Sequence, residues 1–332
     1  MPAKAQAELA DVTYLDAVGQ ALMAEMEADD SVFLIGEDVG QFGGAFKVTK
    51  GFLDKFGPLR VVDTPIAESG FTGLAAGAAL NGLRPVVEFQ FADFISCAYD
   101  QIINVVARHY YRTGDAMPIT FRCPFGGRLR AGPTHSQSIE SYFAHVPGLK
   151  IVAPATVEEA AGLLRSAIRD NNPVLYLESK YLYRRIKVPG PLSLDPTPIG
   201  SARVVREGEQ VSLLTYSVGV HQGLEAADEL AKEGISVEVV DLRTLVPLDM
   251  DTIVASVMKT SRAVVLHEAA RRLGYGAEIA AAIGEECFWA LDHPVVRVAA
   301  KNTPIPTSPR LEDDVLPQTA QVVDALRKVA TT

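Results

Sequence analysis

The stretch Val61 to Gly82, VVDTPIAESGFTGLAAGAALNG, reads as a short strand, a tight connection at Asp63-Thr64-Pro65, and a helix of very small residues. Glu68 stands where that helix begins. A carboxylate there has two readings. It can serve the helix alone, because the dipole and the unpaired N–H groups of the first turn favour negative charge. It can also belong to a site. The helix behind it keeps the second reading open: Gly70, Gly73, Ala75, Ala76, Gly77, Ala78 and Ala79 leave almost no side-chain bulk. Glycine lowers helix stability, and a chain accepts that where another backbone or a ligand comes very close.

On either side the pattern alternates. Thr13 with Asp16 forms a capping box before a helix carrying Leu15, Val18, Leu22 and Met26. Val32–Ile35 is an apolar strand that runs into Gly36-Glu37-Asp38-Val39-Gly40, with Gly43-Gly44 following. Pro85–Phe89 is a strand, Phe91–Arg112 reads as one long helix, and Pro118–Arg122 is a strand opening into a polar loop over Phe125–Ser138. Lys150–Ala153, a helix capped by Thr156, and Val174–Leu177 complete this half. Pro189, Pro191, Pro196 and Pro198 mark a linker, and beyond it four more strand–helix pairs follow. Such alternation gives parallel sheets with helices on both faces. The expected fold is therefore α/β with two parallel-sheet domains: a tail over 1–11, a domain over 12–188, a linker over 189–200 and a domain over 201–332.

Composition narrows the partners. The 332 residues are 48% hydrophobic and 22% charged, as in an ordinary globular protein with two full cores. A net charge of -10 without a basic block argues against nucleic acid. No apolar run reaches the roughly 18 residues of a membrane span, and the N-terminus lacks the apolar core of a signal peptide. Cys97, Cys123 and Cys287 have no metal-type spacing and read as reduced, mostly buried thiols of a cytoplasmic protein.

Ligands of open parallel sheets bind outside the carboxyl ends of the strands. That rule gathers Glu37, Glu68, Gln90, Phe94 and the loop carrying His135 at one rim. Two carboxylates, a histidine and an aromatic suit acid–base work on a flat ring: burial raises a carboxyl pKa, histidine shuttles protons near neutrality, and an aromatic stacks. Each also has a plain alternative. Glu37 is equally a cap, His135 a solvated loop residue, Phe94 a core side chain and Gly43-Gly44 a turn. Neither Gly-x-x-x-x-Gly-Lys-Ser/Thr nor Gly-x-Gly-x-x-Gly occurs, which argues against a phosphate loop and a nicotinamide dehydrogenase.

An ordered set of motifs carries a resemblance. GEDVG (36–40), DTPIAESG (63–70), EFQFADF (88–94), THSQS (134–138), AIRDNNPV (167–174), VVDLRTL (239–245) and NTPIP (302–306) together resemble the beta subunit of the thiamine-diphosphate-dependent 2-oxo acid dehydrogenases. The resemblance runs from about Thr13 to the C-terminus and covers the pyruvate, branched-chain and acetoin complexes. It implies a transketolase-like architecture, with a pyrimidine-binding domain up to about residue 190 and a transketolase C-terminal domain after it.

It also implies roles. Glu68 matches the glutamate that hydrogen-bonds the aminopyrimidine ring and drives formation of the reactive carbanion. Glu37 matches a second acidic residue at the cofactor, and Ile66 and Gln90 match positions near the pyrimidine. Phe94 matches a position that is tyrosine in branched-chain relatives, so a hydroxyl is lost there. His135 matches the histidine at the site's mouth, assigned to substrate handling and acyl transfer to the lipoyl group. Ile119, Ala167, Asp170 and Asn172 match a structural potassium site in relatives.

The chain has no Gly-Asp-Gly, the motif that holds magnesium and the diphosphate in thiamine-diphosphate enzymes; its nearest approach is Gly114-Asp115-Ala116. The expectation is therefore a catalytic half: a beta subunit that works with an alpha subunit in an alpha2beta2 heterotetramer and acylates the lipoyl acyltransferase core. Alternatives are an acetoin dehydrogenase beta subunit and a non-catalytic scaffold subunit. Arg128 and Arg130, in a loop less rich in Gly and His than in many relatives, either alter substrate preference or are solvated.

Overall fold

The computed structural model describes residues 10–332. The expected tail over 1–11 lies outside that range except at Ala10 and Asp11. In chain order the first half runs β1 (Asp11–Thr13), α1 (Tyr14–Ala28), β2 (Val32–Gly36), α2 (Phe52–Phe56), β3 (Val61–Asp63), α3 (Glu68–Leu80) and β4 (Arg84–Glu88). Then come α4 (His109–Thr113), β5 (Thr120–Phe125), α5 (Glu140–Ala144), β6 (Lys150–Val152), α6 (Val157–Arg169), β7 (Val174–Ser179) and β8 (Lys187–Pro189). The remainder is β9 (Arg203–Arg206), β10 (Val211–Thr215), α7 (Val218–Ala231), β11 (Val237–Asp241), β12 (Thr244–Val246) and α8 (Met250–Thr260). It ends with β13 (Ala263–Ala270), α9 (Gly276–Glu286), β14 (Val296–Ala300), α10 (Pro309–Val315) and α11 (Thr319–Thr331).

Two main sheets result. One has seven strands in the order β12-β6-β7-β5-β4-β2-β3, and the other five in the order β14-β13-β10-β11-β9. All neighbours are parallel except the edge strands β12 and β9, which run antiparallel to β6 and β11. Strands β2, β5, β7, β10 and β11 are buried along their whole length. That is what helices on both faces demand, and it explains why they read as continuous apolar runs. Strand β12 follows the second half's β11 yet pairs with the first half's sheet. One apolar core accordingly runs from Ile151 and Leu175 across to Val240 and Ile279. Among the described residues no helix is long and apolar enough to cross a membrane.

Local chemistry sets the element ends. Thr13 and Asp16 close the expected capping box on α1, and the Thr156 hydroxyl accepts the Glu159 N–H at the start of α6. Caps of this kind contribute about 1 kcal/mol each. The single helix expected over Phe91–Arg112 does not form. Ala92–Ala98 winds as a 3-10 helix, Gln101–Val106 as a π-helix, and α4 follows. The spacing Ile95, Ala98, Ile102, Val106 keeps one face buried through both the 3-10 and the π segment, so apolar periodicity cannot tell them apart. The winding is visible only in the hydrogen bonds, such as Ala107 N–H to the Ile102 carbonyl, five residues back, at 2.8 Å.

Beneath the seven-stranded sheet's carboxyl rim lies Arg122, fully buried on β5. Its Nη1 donates to Glu88 Oε2 on β4 at 2.5 Å, and its Nη2 to Glu178 Oε2 on β7 at 2.9 Å. Tyr183 OH donates to the same Glu178 oxygen. Burial raises the Glu88 carboxyl pKa and the Arg122 charge opposes that rise. Arg122→Met leaves two buried carboxylates without a cation and is expected to destabilise the fold by about 3–5 kcal/mol. Urea unfolding followed by circular dichroism checks this, and a loss below about 1 kcal/mol contradicts it.

Candidate active site

Strand register brings the candidates together. Gly36 of β2 lies level with Asp63 of β3 on one side and Glu88 of β4 on the other. The residues that follow these three therefore leave the sheet at one rim: Glu37 after β2, Thr64 to Glu68 after β3, and Gln90 after β4. Close packing enforces the alignment. A Cβ on Gly36 would come within 2.5 Å of the Glu88 carbonyl oxygen, and one on Gly44 within 2.9 Å of Glu88 Oε1. Gly43 and Gly44 also hold positive φ, so this turn needs glycine for both space and conformation. Asp63 fastens the turn by accepting the backbone N–H of Gly40 at 2.6 Å and of Gln41 at 3.2 Å.

Glu68 is the first residue of α3, and Ala67 occupies the cap position with no side-chain bond. Among the described residues the Glu68 carboxylate accepts no hydrogen bond, so the helix-cap reading has no contact to rest on. Glu37 is buried, and its Oε1 has no partner. Its pKa is pushed up to about 6, first by burial and then by the neighbouring charges of Glu68 and Asp38. Two carboxyl groups thus face one rim, close enough to feel each other and without a cation between them. Gln90 Nε2 donates to Asp38 Oδ2 at 2.9 Å, which fixes its amide beside them. Ile66 projects from the turn before α3, 83% exposed, an apolar side chain held in the open.

His135 and Phe94 meet at the same end. The His135 ring packs edge-on against Phe94 and Phe91, at centroid distances of 5.3 Å and 4.6 Å. Its Nδ1 lies 3.0 Å from the Thr134 hydroxyl. Asp93 Oδ1 accepts the Gln137 N–H at 3.2 Å and ties the histidine loop to the 3-10 helix. Behind Phe91 lies Lys180, buried, with Nζ 5.3 Å from the Phe91 centroid and its pKa lowered to about 8 by burial. Phe91, Asp38, Asp63 and Lys180 were not among the site residues expected from the sequence. Phe91 was the most accessible of them, since EFQFADF puts it between Gln90 and Phe94. Lys180 had no signal, because only the fold brings the end of β7 to this ring.

The remaining candidates lie apart from the rim. Ile119, on the approach to β5, and Ala167, Asp170 and Asn172, at the end of α6, gather near the sheet's other end. The Ile119 carbonyl accepts the Val174 N–H and the Ala167 carbonyl the Asp170 N–H. Asp170 Oδ2 accepts from Lys150 Nζ at 2.5 Å and Oδ1 from the Asn172 N–H at 2.8 Å, while the Arg84 guanidinium donates to the Ile168 and Asp170 carbonyls. These oxygens already have protein donors, two of them cationic.

Comparison with known proteins places this geometry in a family. Residues 10–185 match the transketolase pyrimidine-binding domain, and residues 200–322 the transketolase C-terminal domain. The pyruvate dehydrogenase E1 component subunit beta of Rickettsia felis is 45% identical over 320 residues, covering 96% of this chain and 98% of that one. The corresponding Bacillus subtilis subunit is 46% identical, covering 97% and 99%. The 2-oxoisovalerate dehydrogenase subunit beta of Bacillus subtilis is 44% identical, covering 96% and 98%. These names favour a pyruvate or branched-chain enzyme over the acetoin alternative. A solved structure described as a split-gene transketolase in an inactive beta4 tetramer superimposes with a TM-score of 0.78 over 97% of this chain and 99% of its own. At 24% identity it speaks to the fold alone. With both halves matched and relatives alike along nearly their whole length, the chain belongs to the transketolase-like E1 beta subunits of the pyruvate and branched-chain 2-oxo acid dehydrogenases, a family of oxidoreductases.

Proposed function

We propose that this chain supplies the acid–base half of a thiamine-diphosphate site. With an alpha subunit it carries out oxidative decarboxylation of pyruvate or a branched-chain 2-oxo acid, and then reductive acylation of the lipoyl group of an acyltransferase core. The single observation behind the reading is the pair of rim carboxyls, Glu68 with no hydrogen bond among the described residues and Glu37 with a buried oxygen left unpartnered. A carboxyl in that condition awaits a donor or acceptor from outside. An aminopyrimidine presents both, and the exposed Ile66 and the Phe94 ring give its flat apolar surface something to rest against.

When bound, thiamine diphosphate supplies the carbon nucleophile for decarboxylation. The chain's own residues do the rest. Glu68 holds a proton at its carboxyl oxygen and presents it to a ring nitrogen. Glu37, buried beside it, is the carboxyl whose own pKa is pushed up, to about 6, by burial and by the Glu68 charge. Gln90, held by Asp38, orients the ring edge. His135 stands at the mouth, backed by Phe91 and Phe94, where it can hand a proton to or take one from the acyl acceptor. Magnesium and the diphosphate fall to the alpha subunit, since this chain has no Gly-Asp-Gly.

Helix α3 fits the same assignment. Gly70, Leu74, Gly77 and Asn81, spaced at one helical face, are all exposed, and Leu74 and Leu80 keep more than half their surface open. A Cβ on Gly77 would meet nothing within 4 Å. Gly77 therefore answers no packing need among the described residues. The glycines leave a flat apolar face on which an alpha subunit can lie close to Glu68.

Glu68→Gln in the reconstituted heterotetramer is expected to cut turnover by about 10²-fold or more in a dye-reduction assay, the scale of a lost acid–base group, while full turnover sinks the assignment. The same variant is expected to lower the Glu37 titration midpoint from about 6 without returning it to the usual 4.5, because burial is the larger cause and remains. Carbon-13 NMR of labelled carboxyls reads that shift, and an unmoved midpoint counts against the pairing. A raised folded pKa adds stability below the unfolded value and loses it as pH rises through about 6, so the variant's stability curve is also expected to flatten across that window. Gly77→Leu is expected to leave the chain's own melting temperature the same or somewhat higher and to prevent heterotetramer formation on size exclusion. Normal assembly contradicts the proposed role of that face.

A further inference from the structure

The loop that carries His135 joins β5 to α5, and its first turn is held by the other half of the molecule. Arg128 and Arg130 both take positive φ, 70° and 61°. Residues with side chains stay in that region only where their surroundings over-determine it. Here the surroundings are β13, α7 and α10. Arg128 Nε donates to Glu268 Oε2 at 2.7 Å, its Nη2 to Gln222 Oε1 at 3.1 Å and to the Pro317 carbonyl at 2.9 Å. The N–H of Gly127 donates to Glu268 Oε1 at 2.6 Å, and that of Arg128 to Glu312 Oε1 at 2.8 Å. Arg130 Nη1 donates to Glu312 Oε2 at 2.6 Å, to Asp313 Oδ1 at 2.8 Å and to the Pro309 carbonyl at 2.9 Å.

Glu268 and the fully buried Glu312 thus each give one carboxyl oxygen to a loop N–H and the other to a loop guanidinium. The arginines are tied down, not left in solvent. From Arg130 the chain passes Gly132, where a Cβ would lie 2.6 Å from Thr307 Cγ2, and three residues later reaches His135. Past the histidine, Asp93 secures Gln137 from the first half. The histidine therefore lies between an anchor in the second half of the chain and one on the 3-10 helix of the first. A cleft of about 520 Å³ lies along the loop's flank, lined by Pro133, Gln137, Ser138 and Glu268. The loop is open on that side, so its placement rests on the anchors together with the packing of His135 on Phe91 and Phe94.

We infer that Arg128 and Arg130 are positioning residues for the acyl-transfer step: through Glu268 and Glu312 they make the second half of the chain set where His135 stands. The inference rests on the reading of His135 given above. It separates two parts of the reaction. Decarboxylation depends on the Glu37–Glu68 rim, which the clamp does not touch. Transfer to a lipoyl group depends on His135, which stands on the loop that the clamp holds.

The test uses the assembled heterotetramer with cofactor and magnesium bound, and compares Arg130→Ala, Arg130→Lys, His135→Gln and the Arg130→Ala/His135→Gln pair. Dye-coupled oxidation of the 2-oxo acid reads decarboxylation, acylation of a free lipoyl domain reads transfer, and thermal melting reads the fold. Arg130→Ala is expected to lower kcat/KM for the lipoyl domain ~10-fold or more, as sub-ångström misplacement of a reacting group does, with the dye rate within about twofold. Arg130→Lys, which keeps a cation against Glu312, is expected to restore most of the loss. In the His135→Gln background Arg130→Ala is expected to cost nothing further, since it acts through that residue. The inference is overturned if both rates fall together with the melting temperature, if the lipoyl rate is unmoved in an active heterotetramer, or if the paired losses add. An unmodified heterotetramer without dye-coupled turnover is instead a failure of the functional reading itself.

Discussion

Arg122 sits buried between two buried glutamates, and the site above depends on that arrangement. Its partners are on β4 and β7, so the guanidinium ties three adjacent strands together just under the rim where they end. Glu88, level with Gly36 and Arg122, is also the surface over which the Gly43-Gly44 turn passes. A shift of one residue in any of these strands would turn Glu88 or Arg122 to the opposite face and leave a charge in the apolar layer. The register is thereby held, and with it the level at which Glu37, Glu68 and Gln90 emerge. The ion triad contributes little net stability by the usual measure of buried pairs, but it makes the wrong alignments costly.

The rim itself is built to be incomplete. Both carboxyls lack partners on their active sides, Ile66 is an apolar residue left in the open, and α3 exposes Gly77 where none of the described residues comes within 4 Å of a Cβ built there. A protein that worked alone would cover such a face or pair such groups. Here the unpaired acids and the bare helix lie side by side, so one partner surface can meet both. The histidine arrives by a different route, on a loop held across the two halves. The proton-handling end of the site therefore belongs to the first sheet, while the mouth of the site answers to both sheets.

Much of this was legible in the residues, and the limits have physical causes. Alternation of apolar runs with capped helices was enough for two α/β halves, because fully buried parallel strands and amphipathic helices each leave a clear period. The carboxyl-end rule placed Glu37, Glu68, Gln90 and His135 together, since it needs only the order of strands. Short edge strands such as β1, β8, β9 and β12 left no pattern in three or four residues. The change from 3-10 to π winding over Ala92–Val106 is a matter of hydrogen-bond register that side-chain periodicity does not carry. Arg128 and Arg130 were legible as charges in a loop, but their partners Glu268 and Glu312 lie about 140 and 180 residues away in sequence. Only the fold brings those charges into contact, as it brings Lys180 to Phe91.

The central claim is that this chain holds one end of a cofactor whose other end a partner must hold. Calorimetric titration of thiamine diphosphate with magnesium tests that directly, first into the purified chain and then into the chain mixed with its alpha subunit. The account predicts no saturable binding to the chain alone and stoichiometric binding, one per beta chain, once the alpha subunit is present. Tight stoichiometric binding to the isolated chain would contradict it.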